Sequence, residues 1–145
     1  MGNICRSPVV EAVARTRFAS AGLEIGVDSA GTENYHIGSR PDSRSLASAR
    51  ERGYDASMHR ARQVMAADFA NFDALLVMDR INQEALARYF SREQMLRVHL
   101  FLPFANVAMP GDLPDPYYGH ARDFERVVDL AEIGVDGLIA RFKHP

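Results

Sequence analysis

Cysteine is nearly absent from this sequence: Cys5 is the only one in 145 residues. A lone cysteine excludes an internal disulfide framework and any metal site built from several thiolates. It suits a reducing compartment, so the expected location is the cytoplasm. The five histidines are scattered and suggest no metal site either. No apolar run approaches the length of a membrane span. No apolar segment follows a basic N-terminus in the manner of a signal peptide. Met1-Gly2 opens like a myristoylation motif, but Arg6 stands where that motif wants Ser or Thr. A large excess of one charge is missing as well. The net charge of -2 draws the chain neither to nucleic acid nor to anionic lipid. Arg40, Arg44, Arg50, Arg52, Arg60 and Arg62 are interleaved with Asp42, Glu51 and Asp55, which reads as a solvated helix face.

What is present fits one domain with a substantial core, since 47% of the residues are hydrophobic and 25% charged. Ser7-Pro8 is a strong helix start. Val9, Val10, Val13, Ala14 and Phe18 keep near-helical spacing, and Gly22 stops the run. Residues Leu23 to Ser29 read as a short strand. Pro41-Asp42 opens a second helix that Gly53 closes, and Ala66 to Phe72 predicts a short third. Ala74 to Met78 is an unbroken apolar run, the pattern of a strand buried on both faces of a parallel sheet. A helix from Ile81 to Phe90 and a strand from Leu96 to Leu102 follow. Pro103 to Ala121 reads as one long loop, and a loop of that length points to function. Asp123 to Phe142 is the last helix, weakened by Gly134 and Gly137. Strands alternating with helices imply an α/β domain with a parallel sheet.

The most informative segment is Gly2-Asn3-Ile4-Cys5-Arg6-Ser7-Pro8. Glycine lets backbone approach a ligand, and asparagine tolerates left-handed backbone. Such a loop entering a helix turns N–H groups inward as an anion nest, and the helix terminus adds positive character. Arg6 at the mouth offers a planar clamp for phosphate oxygens. The plain alternative is a capped helix with a surface arginine.

Gly-Asn-Ile-Cys-Arg-Ser-Pro resembles the phosphate-binding loop of the low-molecular-weight protein tyrosine phosphatases. The likeness continues through Asp28-Ser29-Ala30-Gly31-Thr32, Tyr35, His59-Arg60-Ala61-Arg62-Gln63 and Met78-Asp79. It ends on Asp115-Pro116-Tyr117-Tyr118-Gly119, similar to that family's acid loop, with Asp123-Phe124 after it. The family fold is a three-layer α/β domain with a four-stranded parallel sheet. The resemblance implies hydrolysis of phosphate monoesters through a phosphocysteine, without metal or cofactor. It implies catalytic roles for Arg6, on the phosphoryl oxygens, and for Asp115, as acid and then base. Gly2, Asn3, Ile4 and Cys5 would bind substrate through the loop, with Ser7 hydrogen-bonding the nucleophilic thiolate. Tyr35, Tyr117 and Tyr118 would wall an aryl-phosphate cleft, and His59 would support Asn3 from behind. Each has a plain rival: a turn initiator at Asp115-Pro116, packing at Tyr117-Tyr118, an exposed loop histidine at His59. The implied partners are phosphotyrosine-containing proteins, with a cognate tyrosine kinase, and neither nucleic acid nor membrane.

The family's nucleophile precedes the arginine by six positions. Counting back six from Arg6 reaches the position before Met1. The expectation is therefore that the first, inner strand and the catalytic cysteine precede Met1, and that the chain as written is inactive. Loss of four or five buried strand residues would cost roughly 6–15 kcal/mol, which predicts poor folding. Cys5 directly precedes Arg6, so its sulfur cannot lie in line with a phosphate held by that arginine. A phosphate- or phosphotyrosine-binding pseudophosphatase is the alternative function. Arsenate reductases of similar fold use further cysteines, and relatives acting on phosphoarginine tend to carry Thr where Ile4 stands. Both points favour tyrosine.

Overall fold

Proline at position 8 has no N–H to lose at a helix start, and there the first helix begins. In a computed structural model describing residues 2–144, α1 runs Ser7–Ser20 and buries Pro8, Val9, Ala12, Val13, Ala14 and Phe18. Gly22, at φ 75°, closes it as the sequence predicts. The Asp42 side chain accepts from the Arg44 N–H and caps α2, Ser43–Glu51. The short α3, Ala66–Asn71, leads to β1, Leu75–Val77. Asp79 caps α4, Arg80–Ala87, and Ser91 with Gln94 forms a capping box on α5, Arg92–Met95. Then β2, Val98–Leu100, pairs in parallel with β1 and passes directly into α6, Phe101–Phe104. Finally α7, Ala121–Lys143, crosses the molecule.

The fold is α/β with a parallel sheet. Its larger core joins α1, α2 and α7 around Phe101, Leu102 and Leu113. A smaller one holds Phe69, Val77, Leu86 and Val98 on the other side of the sheet. A clamp ties α1 to α7: Tyr54 Oη and Arg17 Nη2 both reach Glu132 Oε2, at 2.6 and 2.8 Å.

Three elements depart from the sequence reading. Residues Leu23 to Ser29 are extended but form no ladder. Among the described residues, the backbone N–H groups of Glu24 to Asp28 find no backbone acceptor. An apolar cleft of about 970 Å³ separates this segment from β1, and neither edge reaches the other across it. The same cleft leaves Leu75 and Leu76 half-buried, where burial on both faces was expected. The second strand is shorter than Leu96 to Leu102, and α6 occupies the start of the supposed loop. Pro103 is tolerated there because it sits in the first turn of α6, where no intrahelical N–H bond is lost.

The two glycines expected to weaken the last helix have a packing reason. A Cβ at Gly134 would enter the Phe101 ring, and one at Gly137 would strike the Ala105 carbonyl. Bare backbone on that face lets α6 lie directly on α7, and α7 runs unbroken for 23 residues.

Candidate active site

Asn3 organises the loop ahead of α1. It is 2% exposed and holds φ 64°, a left-handed conformation that asparagine adopts at modest cost. Its Nδ2 donates to Ser7 Oγ at 2.7 Å and to Ser29 Oγ at 3.0 Å. Its Oδ1 accepts from the Arg62 N–H at 3.1 Å. Its carbonyl lies 3.1 Å from His59 Nε2. Every polar atom of the side chain is therefore used, and two distant segments meet the start of α1 on one residue. The loop's curvature is fixed by these bonds before any ligand arrives.

Behind this knot lies Glu11, on α1. It accepts from Ser29 Oγ at 2.8 Å and stands 3.7 Å from His59 Nδ1. Burial pushes its carboxyl up, but bonds from His59 and Ser29 outweigh this and hold it below the ordinary range. Gly2 packs under the His36 ring, too close to admit a Cβ.

Arg6 is 3% exposed. Its Nη1 donates to Asp79 Oδ2 at 2.6 Å and to the Leu113 carbonyl at 2.8 Å. Its Nη2 lies 3.4 Å from Asn82 Oδ1 and 3.9 Å from Asp115 Oδ2. The guanidinium is thus locked from the rear by the N-terminus of α4 and the Leu113 carbonyl, and one edge faces the acid loop. Asp115 accepts from the Tyr117 N–H at 3.1 Å, a turn that presents its other oxygen to Arg6. Tyr117 and Tyr118 meet edge to face at 4.9 Å. Tyr117 is partly covered, whereas Tyr118 and Tyr35 stand in solvent.

Cys5 is buried, with its thiol pushed up to about 11 by burial and then by Asp42 and Asp115. A thiol of that kind stays protonated at neutral pH and is a poor nucleophile. Ile4 contributes its carbonyl, which accepts from the Asp42 N–H at 2.8 Å.

The structure therefore gathers Asn3, Ser7 and His59 into one network, and Arg6 and Asp115 into another. It leaves Tyr35 and Tyr118 exposed and in neither network. Sequence reasoning missed Glu11 and Asn82, whose only signal was a polar residue on a helix, and read Asp42 only as a helix start. Asp79 was noted within a motif but given no role, and it is the main anchor of Arg6. Of the basic face expected to be solvated, three members are paired with carboxylates. Arg44 binds Asp42, Arg52 binds Asp129 and Glu132, and Arg62 binds Asp68 and Asp28.

The family model described as "Low molecular weight phosphotyrosine protein phosphatase" matches residues 1–145. The chain belongs to that family. A low-molecular-weight protein-tyrosine-phosphatase from Streptomyces coelicolor is 38% identical over 144 residues, covering 96% of this chain and 87% of the relative. The human low molecular weight phosphotyrosine protein phosphatase is 38% identical over 130 residues, or 88% of this chain and 82% of the relative. Among solved structures, a protein tyrosine phosphatase from Entamoeba histolytica with Hepes in the active site superposes with a TM-score of 0.92. It is 34% identical, and the match covers 99% of this chain and 92% of that one. Membership of this phosphatase family makes the chain a phosphoric monoester hydrolase by descent, with phosphotyrosine proteins as the substrate class. No helix among the described residues is long and apolar enough to cross a membrane.

Proposed function

We propose that the loop from Gly2 to Arg6 holds the phosphoryl group of a phosphotyrosine side chain, and that Asp115 serves its ester oxygen. The observation that carries this is the saturated hydrogen bonding of Asn3, which fixes a left-handed loop at the mouth of α1. Backbone N–H groups of the loop and the Arg6 guanidinium supply donors for the nonbridging oxygens. In the reaction that the family resemblance implies, the nucleophile is a cysteine thiolate six positions ahead of Arg6. Its sulfur attacks phosphorus, the P–O bond to the phenol breaks, and Asp115 gives the leaving oxygen its proton. Asp115 then takes a proton from water, which attacks phosphorus and releases phosphate and thiolate. Ser7, already bonded to Asn3, is the hydroxyl that would stabilise that thiolate. Tyr117 would line the aryl group's path.

A second reading is favoured by the state of Cys5. A buried thiol pushed up to about 11 is a poor nucleophile, and on this second reading the loop holds phosphate without attack by Cys5. One pair of measurements separates the two. The chain from Met1 and a form with one cysteine placed before Met1 are compared for 4-nitrophenyl phosphate hydrolysis and for thermal protection by inorganic phosphate. Protection in both, with turnover only in the extended form, is the expected result. Absence of protection in both would refute an intact phosphate site. A cytoplasmic location and a cognate tyrosine kinase as partner belong to the same proposal.

A further inference from the structure

Arg44 lies outside the groups assigned above, yet it touches both halves of the site. Its guanidinium makes a bidentate pair with Asp42, Nε to Oδ1 at 3.0 Å and Nη2 to Oδ2 at 2.9 Å. Asp42 in turn hangs from the phosphate loop through its N–H to the Ile4 carbonyl at 2.8 Å. The same guanidinium sits over two aromatic rings, with Cζ 4.4 Å from the centroid of buried Phe124 and 5.6 Å from that of Tyr117. Phe124 belongs to α7 and Tyr117 to the acid loop. One cation therefore links the loop that would hold phosphate to the loop that carries Asp115. Tyr117 itself is tied to Asp115 by its N–H.

A guanidinium suits this place for a physical reason. Its edge is consumed by the carboxylate fork, and its faces remain free to stack on rings. Lysine would keep the charge but lose the flat face and the two-point grip. Because Asp42 also caps α2, the pair is anchored on a helix terminus separate from the acid loop.

We propose that Arg44 is a positioning residue that holds Tyr117 as the aromatic wall of the cleft and so sets the preference for aryl over plain phosphate. This rests on the phosphate reading given above and deepens it. Arg44 makes no direct contact with Arg6 or Asn3 and reaches the phosphate loop only through the backbone bond of Asp42 to Ile4, so its loss should weaken phosphate far less than an aryl phosphate.

The test uses the chain from Met1 and two probes, inorganic phosphate and phenylphosphonate, with affinity read from ligand-dependent thermal shifts. For Arg44→Ala the expected result is a phosphate affinity within about twofold of the parent and a phenylphosphonate affinity about three- to tenfold weaker, the range of one cation–π contact. Arg44→Lys should recover part of the loss. An equal loss for both probes, or an unchanged ratio, would overturn the proposal. Nitration of Tyr117 by tetranitromethane, mapped by mass spectrometry in the ligand-free protein, reads the bracing without any phosphate site. Faster nitration in Arg44→Ala supports the proposal, and an unchanged rate sinks it. Should neither probe protect the parent chain while nitration still responds to Arg44, the phosphate reading fails and the brace stands.

Discussion

Replacing Asn3 by alanine tests the loop at its most constrained point. The substitution deletes three side-chain hydrogen bonds, to Ser7, Ser29 and the Arg62 N–H. At about 1 kcal/mol net apiece these amount to about 3 kcal/mol. Alanine also has no local hydrogen bonding to offset a left-handed backbone, which adds about 1 kcal/mol at φ 64°. The sum, about 4 kcal/mol, is a large part of the stability of a domain this size. Urea unfolding followed by circular dichroism measures it. Asn3→Gly separates the two contributions, because glycine accepts the backbone and should recover about 1 kcal/mol of the loss. In the same samples, phosphate at a hundred times its dissociation constant should stabilise the parent by about 2.7 kcal/mol and the alanine variant by far less. A loss below about 1 kcal/mol, or full phosphate protection in the variant, would refute the idea that Asn3 shapes the loop.

Three further outcomes are expected. Cys5 has its thiol raised from 9.0 to about 11, so the folded state holds a proton that the unfolded state releases first. Its contribution is intact below pH 9 and is lost as pH rises toward 11, at no more than about 1.4 kcal/mol per pH unit. Unfolding curves across that range should flatten in Cys5→Ala. Glu11, Asp42, Asp68 and Glu132 are all held below their ordinary range. Their contribution is present above about pH 4 and is lost as pH falls further, so acid titration of the melting temperature should drop steeply there, and less steeply in Glu11→Gln. Gly137→Ala gains helix propensity of about 1 kcal/mol but drives a methyl into the Ala105 carbonyl at a cost of about 1–3 kcal/mol. A thermal melt should show net destabilisation, and a stabilised variant would mean that α6 shifts freely on α7.

The parts legible in the sequence were those whose signal is local. Pro8, Asp42, Gly22 and Gly53 act on their own backbone, and the helices they bound fall where the pattern placed them. Leu23 to Ser29 misled because apolar alternation reports compatibility with a ladder and says nothing of whether an edge lies within reach. Pro103 misled because proline reads as a loop signal, although it fits the first turn of a helix equally well. In the site, Arg6 and Asp115 were legible from their motifs. Asp79 as an anchor was not, since it is 73 residues from Arg6 and nothing in either neighbourhood records their meeting. Arg44 was hidden in a basic cluster, where a stacked and paired guanidinium looks like any other surface charge.

The cleft between residues 23–29 and β1 also bears on how the molecule behaves in company. It presents one open edge of β1, an extended segment without a ladder and an apolar floor, an arrangement prone to recruit another chain. Neither flank carries lysine or proline, and the guards are carboxylates: Glu24, Asp28 and Asp73. The net charge, formally -2 at pH 7, falls toward zero near the sequence isoelectric point of about 6.2, and repulsion between whole molecules weakens with it. Colloidal stability should therefore have its minimum close to pH 6 and improve toward pH 8, set by the net charge of the molecule rather than by the strength of the fold.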